Sequence, residues 1–183
     1  AGVDPSGGAG LLADIKTISA LGGYACGAVT ALTVQNTRGV SGGRIMSGDF
    51  VSAQMESVLS DIRIDAVKIG MLGNCEVIEA AAGILRDHPV KHVVLDTILA
   101  STSGTPLLEP EAVGVLIRKL LPLCTVFTPN LPEAAILLGD ETPADEGGME
   151  NTARRLWNLA GCGPTVYLKG GHLSGDRMVD LVF

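Results

Sequence analysis

Aromatic residues are scarce in this sequence, at 3% of its 183 positions. A platform that stacks single-stranded nucleic acid needs aromatic faces, so the scarcity argues against one. Basic residues are also few: 13 Lys and Arg stand against 20 Asp and Glu, a formal net charge of −7, with no Lys/Arg cluster. A DNA-binding face and an anionic membrane surface are disfavoured on that ground. Acidic charge does not exclude nucleotides, because a nest of backbone N–H groups binds phosphate whatever the overall charge. The four cysteines, Cys26, Cys75, Cys124 and Cys162, form no C-x-x-C pair. Structural zinc and a disulfide framework are therefore disfavoured, and free thiols in a reducing cytoplasm are expected. No apolar run approaches the length of a membrane span, and no signal peptide is read. A G-x-x-x-x-G-K-[ST] loop is absent. So is a strand–G-x-G-x-x-G–helix unit, which disfavours a dinucleotide-binding oxidoreductase.

Hydrophobic residues make up 46% of the chain and glycine contributes 24 residues. That mix fits a single packed α/β domain over residues 1–183, a size that buries roughly 70% of the surface its unfolded form exposes. Hydrophobic periodicity alternates between helical stripes and strand-like runs. Helices are predicted over 10–21 (stripe Leu11, Ile15, Ile18), 50–60 with Asp49 as cap, 76–86, from Pro110 through Leu120, 132–138 ending at Gly139, and 149–160. Strands are predicted over 25–34, 64–71, 92–99, 125–128, 165–169 and from 178 onward. Strands apolar throughout and alternating with helices predict a mainly parallel central sheet covered by helices on both faces. The glycine-rich stretches 39–48 and 140–148 read as surface loops and candidate lids. The chain opens at Ala1 without Met and closes at Phe183 within a strand, so truncation at both ends is expected.

In such sheets ligands bind beyond the carboxyl ends of the strands, and the unusual residues of this sequence fall there. The segment Asp4-Pro5-Ser6-Gly7-Gly8-Ala9-Gly10 precedes the first helix, where glycines let a ligand approach unpaired N–H groups; a turn needed only for packing explains it equally. Asp14, one turn into that helix, is either a polar substrate contact or a favourable charge near the helix start. Gln35, after the second strand, carries the donor and acceptor that an aminopyrimidine edge requires, or is a plain loop residue. Lys68 lies within an apolar strand, uncommon for a charge unless paired. Asp96 closes the HVVLD run, as a metal-directed carboxylate or a turn acid. Asn130 and Glu133, in TPNLPE, share one side of a helix start, as oxygen ligands around hydrated Mg²⁺ or as a capping box. Lys169-Gly170-Gly171 follows a further strand and suits phosphate; His172, His88 and His92 read as surface residues. No Ser-His-Asp or Cys-His arrangement is recognisable.

Taken together, AGVDPSGGAGLLADIKTISALG, TALTVQNTRGV, KIGML, VVLDTILASTSG, TPNLPEA and LKGGH resemble, in order and spacing, the hydroxymethylpyrimidine (phosphomethylpyrimidine) kinases of the ribokinase-like superfamily. Pyridoxal kinases are similar more distantly. The resemblance spans nearly the whole chain and implies a ribokinase-like three-layer sandwich. It also implies ATP-dependent phosphorylation of 4-amino-5-hydroxymethyl-2-methylpyrimidine and its monophosphate in thiamin biosynthesis, with Mg²⁺, in a cytoplasmic homodimer. Gln35, Gly10, Asp14, Met71 and Ile98 would then form the pyrimidine site. Lys169, Gly170 and Asn130 would lie by ATP, and Glu133 and Asp96 by the metal. The family's G-[ST]-G-[CD] turn, which carries the anion hole and the catalytic base, does not occur here and would lie beyond Phe183. Without that turn the same sequence reads as a non-catalytic pyrimidine-binding protein. Pyridoxal or pyridoxine kinase is the other alternative.

Overall fold

A computed structural model describes residues 1–101, 104–171, 173 and 178–183. The element order is β1 (Gly2–Val3), α1 (Gly10–Ala20), β2 (Ala31–Asn36), β3 (Gly39–Ile45), α2 (Gly48–Leu59), β4 (Ala66–Ile69), α3 (Cys75–Asp87), β5 (His92–Leu95) and α4 (Ala112–Val115). A π-helical turn (Leu116–Leu120) and a 3₁₀ turn (Leu121–Leu123) continue α4; β6 (Val126–Phe127), α5 (Leu131–Leu138), α6 (Glu146–Leu159), β7 (Thr165–Leu168) and β8 (Leu181–Val182) complete the chain.

Strands β4, β5, β6 and β7 run parallel in that order, with β8 antiparallel at the β7 edge. The helices fall into two packed groups, α2 with α3 and α4, and α5 with α6. The result is the expected α/β layering. Between sheet and helices lie fully buried Val77, Ile78, Leu95, Leu120, Phe127, Leu131, Met149, Leu156 and Val166. Full burial of a side chain of this size contributes about 1.5–3 kcal/mol, so these residues fix the layers.

Local signals account for most boundaries. Asn74 caps α3 by accepting from the Val77 amide, and Asp145 caps α6 from Gly148. Helix α5 ends at Gly139, whose φ of +62° is the left-handed conformation that closes a helix. The stretch after Pro110 is less regular than its stripe predicts. Pro122 has no N–H to continue the ladder, and the helix loosens into a π turn before it and a 3₁₀ turn around it.

Four expectations need correction. First, the sheet is not continuous: β1, β2 and β3 form a separate three-stranded unit. Segment 25–30, read as the start of a strand, belongs to no strand among the described residues, and a cavity of about 550 Å³ lies between it and β4. Second, the stretch 140–148 is not loop throughout, since residues 146–148 open α6; α1 itself forms as predicted, with Leu11 and Ile18 lining that cavity. Third, residues 39–45 are not a loop. They form β3, antiparallel to β2, because the Asn36 carboxamide accepts from the Arg38 amide and turns the chain at Gly39. Glycine is depleted in strands, which hid this one. Fourth, Asp49 is not the cap of α2; the Ser47 hydroxyl accepts from the Phe50 amide.

All four cysteines are free. Burial of Cys124 pushes its thiol up to about 12. Because the unfolded thiol titrates near 9, the folded state holds an extra proton between the two values, and stability falls as pH rises through that window. The expected result is a melting temperature that declines above pH 9 and declines less in Cys124→Ser. Mass spectrometry should find Cys124 unmodified by iodoacetamide at pH 8 in the folded protein.

Candidate active site

Two clusters of polar and small residues form beyond the carboxyl ends of the parallel strands. The first surrounds β1. Gly2 and Val3 pair with Ala31 and Leu32 of β2, and the Thr33 hydroxyl reaches the Val3 carbonyl at 2.9 Å and Gln35 Oε1 at 3.1 Å. The pairing register shifts beside Gln35: Val34 faces Gly42 and Gln35 faces Val40, so Ser41 is the extra residue on β3. A Cβ at Gly2 would lie 3.0 Å from the Met71 sulfur, so the thioether rests on bare backbone. The Thr30 hydroxyl donates to the Met71 carbonyl at 2.5 Å. Gly10 has φ +58°, and a Cβ there would fall 2.3 Å from the Gly2 carbonyl oxygen. Ile98 Cδ1 and Lys68 Nζ would lie 3.5 and 3.4 Å from a Cβ at Gly70. Lys68 Nζ donates to both oxygens of Asp14, at 3.1 and 3.0 Å. Gly10, Asp14, Met71 and Ile98 therefore gather around Gly2 and Gly70, with Gln35 joined through Thr33. They do not share one cavity. Met71 lines a cavity of about 410 Å³ with Thr33 and Arg44, while Asp14 lines the larger one between α1 and β4.

The loop before α1 is organised by its own acid. Asp4 is 4% exposed and accepts from the Ser6 amide at 2.8 Å and the Ser6 hydroxyl at 2.9 Å. Burial alone would raise its pKa, but the Ser6 hydroxyl and the amides of Ser6, Ala9 and Gly8 outweigh it and hold the carboxyl below the usual range. A built-in anion thus occupies some of the N–H groups that the sequence offered to a ligand. Asp4→Ala removes those contacts and is expected to loosen the loop, read as a lower urea midpoint.

The second cluster lies beyond β5, β6 and β7. Register places the ends of these strands side by side, Leu95 beside Phe127 and Phe127 beside Val166. Asp96 Oδ1 accepts from the Thr128 hydroxyl at 3.2 Å and from Lys169 Nζ at 3.1 Å. The Lys169 amide donates to the Pro129 carbonyl at 2.8 Å, stitching the TPN and LKGG segments together. Asn130 and Glu133 form a full capping box: Glu133 N donates to Asn130 Oδ1 and Asn130 N to Glu133 Oε2, both at 2.8 Å. The fully buried Thr97 adds a hydroxyl to Oε2 at 3.2 Å. Burial raises the pKa of Glu133; the Asn130 amide and Lys169 oppose this, Asp96 adds to it, and Thr97 lowers it. Gly170 is buried because the Val179 carbonyl oxygen would sit 1.9 Å from any Cβ there, and its amide donates to Asp180. His172 lies outside the described residues.

The segment 96–98 joins the clusters. The Asp96 amide donates to the Ile69 carbonyl at 2.9 Å, and the Ile98 amide to the Asp96 carbonyl at 2.8 Å. Asp96 belongs to the polar cluster, whereas Ile98 packs by Gly70 in the first. Sequence reasoning missed the parts played by Thr97, Thr128 and Asp4, whose only signal is a short polar residue at a strand end. Among the described residues no three His, Cys, Asp or Glu side chains converge as a metal cage. No helix of the described residues is long and apolar enough to cross a membrane.

A family model described as phosphomethylpyrimidine kinase matches residues 4–183. The hydroxymethylpyrimidine/phosphomethylpyrimidine kinase of Escherichia coli K12 is 50% identical over 183 residues, all of this chain and 68% of its own length. A crystal structure of phosphomethylpyrimidine kinase from Clostridium difficile 630 superposes with a TM-score of 0.89 at 40% identity, covering 100% of this chain and 77% of that one. The pyridoxal kinase of Staphylococcus aureus, solved with AMP-PCP and pyridoxal, gives a TM-score of 0.85 at 33% identity over all of this chain and 65% of its own. With a match that runs almost end to end, the chain belongs to the phosphomethylpyrimidine kinase family.

Proposed function

We propose that the protein transfers the γ-phosphoryl group of ATP to 4-amino-5-hydroxymethyl-2-methylpyrimidine and to its monophosphate, in thiamin biosynthesis. The supporting observation is the pair of strand-end clusters joined through residues 96–98. One carries a donor–acceptor amide among small and apolar residues, and the other carries oxygen donors and a lysine. Phosphoryl transfer asks for this pairing, because it depends on alignment and charge neutralisation more than on covalent chemistry.

On this reading Gln35 addresses the aminopyrimidine edge. Its NH₂ donates to a ring nitrogen, and its oxygen, already held by Thr33, keeps a lone pair for the amino group. Met71, Ile98 and Gly10 form the wall and floor, and Asp14 supplies charge. Lys169 neutralises phosphate, Gly170 lets the nucleotide pass close to backbone, and Asn130 stiffens the turn beneath it. Asp96 and Glu133 are hard oxygen donors of the kind Mg²⁺ accepts while keeping several waters. Both Asn130 Oδ1 and Glu133 Oε2 already accept from backbone amides, which favours hydrated contacts over direct ones. Mg²⁺, when bound, would offset charge on the phosphate oxygens.

A homodimer fits the exposed Leu32 and Val34 on β2, which offer an apolar strip on the β2–β3 hairpin. Four free cysteines fit a reducing cytoplasm. The function is tested by measuring ATP consumption with hydroxymethylpyrimidine, its monophosphate and pyridoxal in parallel. Turnover of the two pyrimidines with kcat/KM well above that for pyridoxal is expected. Preference for pyridoxal would replace this reading with the pyridoxal kinase alternative, which the lower identity to that enzyme favours less.

A further inference from the structure

We propose that Lys68 is a positioning residue for the pyrimidine site, holding Asp14 and helix α1 against the end of β4. The inference rests on the proposed pyrimidine site and assigns within it a residue whose charge is otherwise unexplained.

Lys68 stands in β4 between Val67 and Ile69 at a solvent-exposed position, and its ammonium is nonetheless paired. Its partner is 54 residues away in sequence, and its ammonium contacts both carboxylate oxygens. The same ammonium would lie 3.4 Å from a Cβ at Gly70, beside Ile98 Cδ1. Lys68 therefore sits between two residues of the pyrimidine wall, Asp14 on α1 and Ile98 after β5.

The side chains of the pair are 34% and 25% exposed. Ion pairs with that much solvent contact add little to stability. Placement of Asp14 is a different matter, because small displacements around a bound substrate carry large kinetic effects. The expected signature is therefore a KM effect confined to one substrate, with an almost unchanged melting temperature.

In the test, Lys68→Met, Lys68→Gln, Lys68→Arg, Asp14→Asn and the Lys68→Met/Asp14→Asn double variant are compared with Gln35→Ala. Lys68→Met and Lys68→Gln should raise the KM for hydroxymethylpyrimidine about tenfold while leaving the KM for ATP and the melting temperature nearly unchanged. Lys68→Arg, whose fork also reaches two carboxylate oxygens, should stay near wild type. The double variant should be no worse than Asp14→Asn alone, since both changes remove one linkage. Unchanged pyrimidine KM in Lys68→Met and Lys68→Gln, with Gln35→Ala impaired, overturns the inference alone. So do effects that multiply in the double variant, or equal KM rises for both substrates with a large loss of melting temperature. Gln35→Ala without effect overturns the pyrimidine site itself, and the inference with it.

Discussion

Gln35→Ala is expected to raise the KM for hydroxymethylpyrimidine about 30- to 100-fold while the KM for ATP changes by no more than about twofold. Two hydrogen bonds to the aminopyrimidine edge are lost, each worth ~1–1.5 kcal/mol net, and every 1.4 kcal/mol is a factor of ten. The folded structure should tolerate the change. Gln35 is only partly buried, and its side-chain contact, Thr33 Oγ1, keeps the Val3 carbonyl as a partner. Melting temperature should therefore stay within a few degrees of wild type. Steady-state kinetics with each substrate varied in turn makes the check, and equal rises in both KM values would contradict the assignment.

Glu133→Ala is expected to damage both the fold and turnover. Its carboxylate accepts from the Asn130 amide and the Thr97 hydroxyl, and truncation leaves both donors without that acceptor next to a fully buried residue. Losing the capping box and stranding a buried donor should cost about 2–3 kcal/mol together, a fall of roughly 5–10 °C for a chain of this size. Glu133→Gln separates the two roles. Its amide oxygen still accepts from Asn130 and Thr97, so the melting temperature should largely recover. The negative charge beside Lys169 and Asp96 does not recover, and kcat should stay roughly 100-fold down, with a higher Mg²⁺ requirement. Full recovery of kcat in Glu133→Gln would leave Glu133 a capping residue and nothing more.

These two residues show what the sequence made legible. The TPNLPE segment contains both halves of a capping box at the spacing the motif requires, and the structure forms it. The metal-directed reading of the same pair rests on Asp96 and Lys169, which sequence spacing alone does not bring near. Gln35 was visible as a donor–acceptor at a strand end, but the register shift beside it was not, since pairing register is a property of two strands. The parallel arrangement of β4 through β7 followed from apolar runs alternating with helices. The break between β1 and β4 did not, because periodicity along one segment says nothing about which edges meet. Lys68 was flagged as anomalous without its partner, which the fold supplied from 54 residues away.

The measurement that bears most directly on the arrangement is paramagnetic relaxation of the bound pyrimidine by Mn²⁺·AMP-PCP. On the proposed arrangement, with the pyrimidine at Gln35 and the nucleotide complex beside Asn130 and Glu133, the methyl and hydroxymethyl proton signals should broaden strongly when the nucleotide complex binds. They should sharpen again when diamagnetic Mg²⁺ replaces Mn²⁺. Saturating binding of both ligands with no broadening would contradict the account.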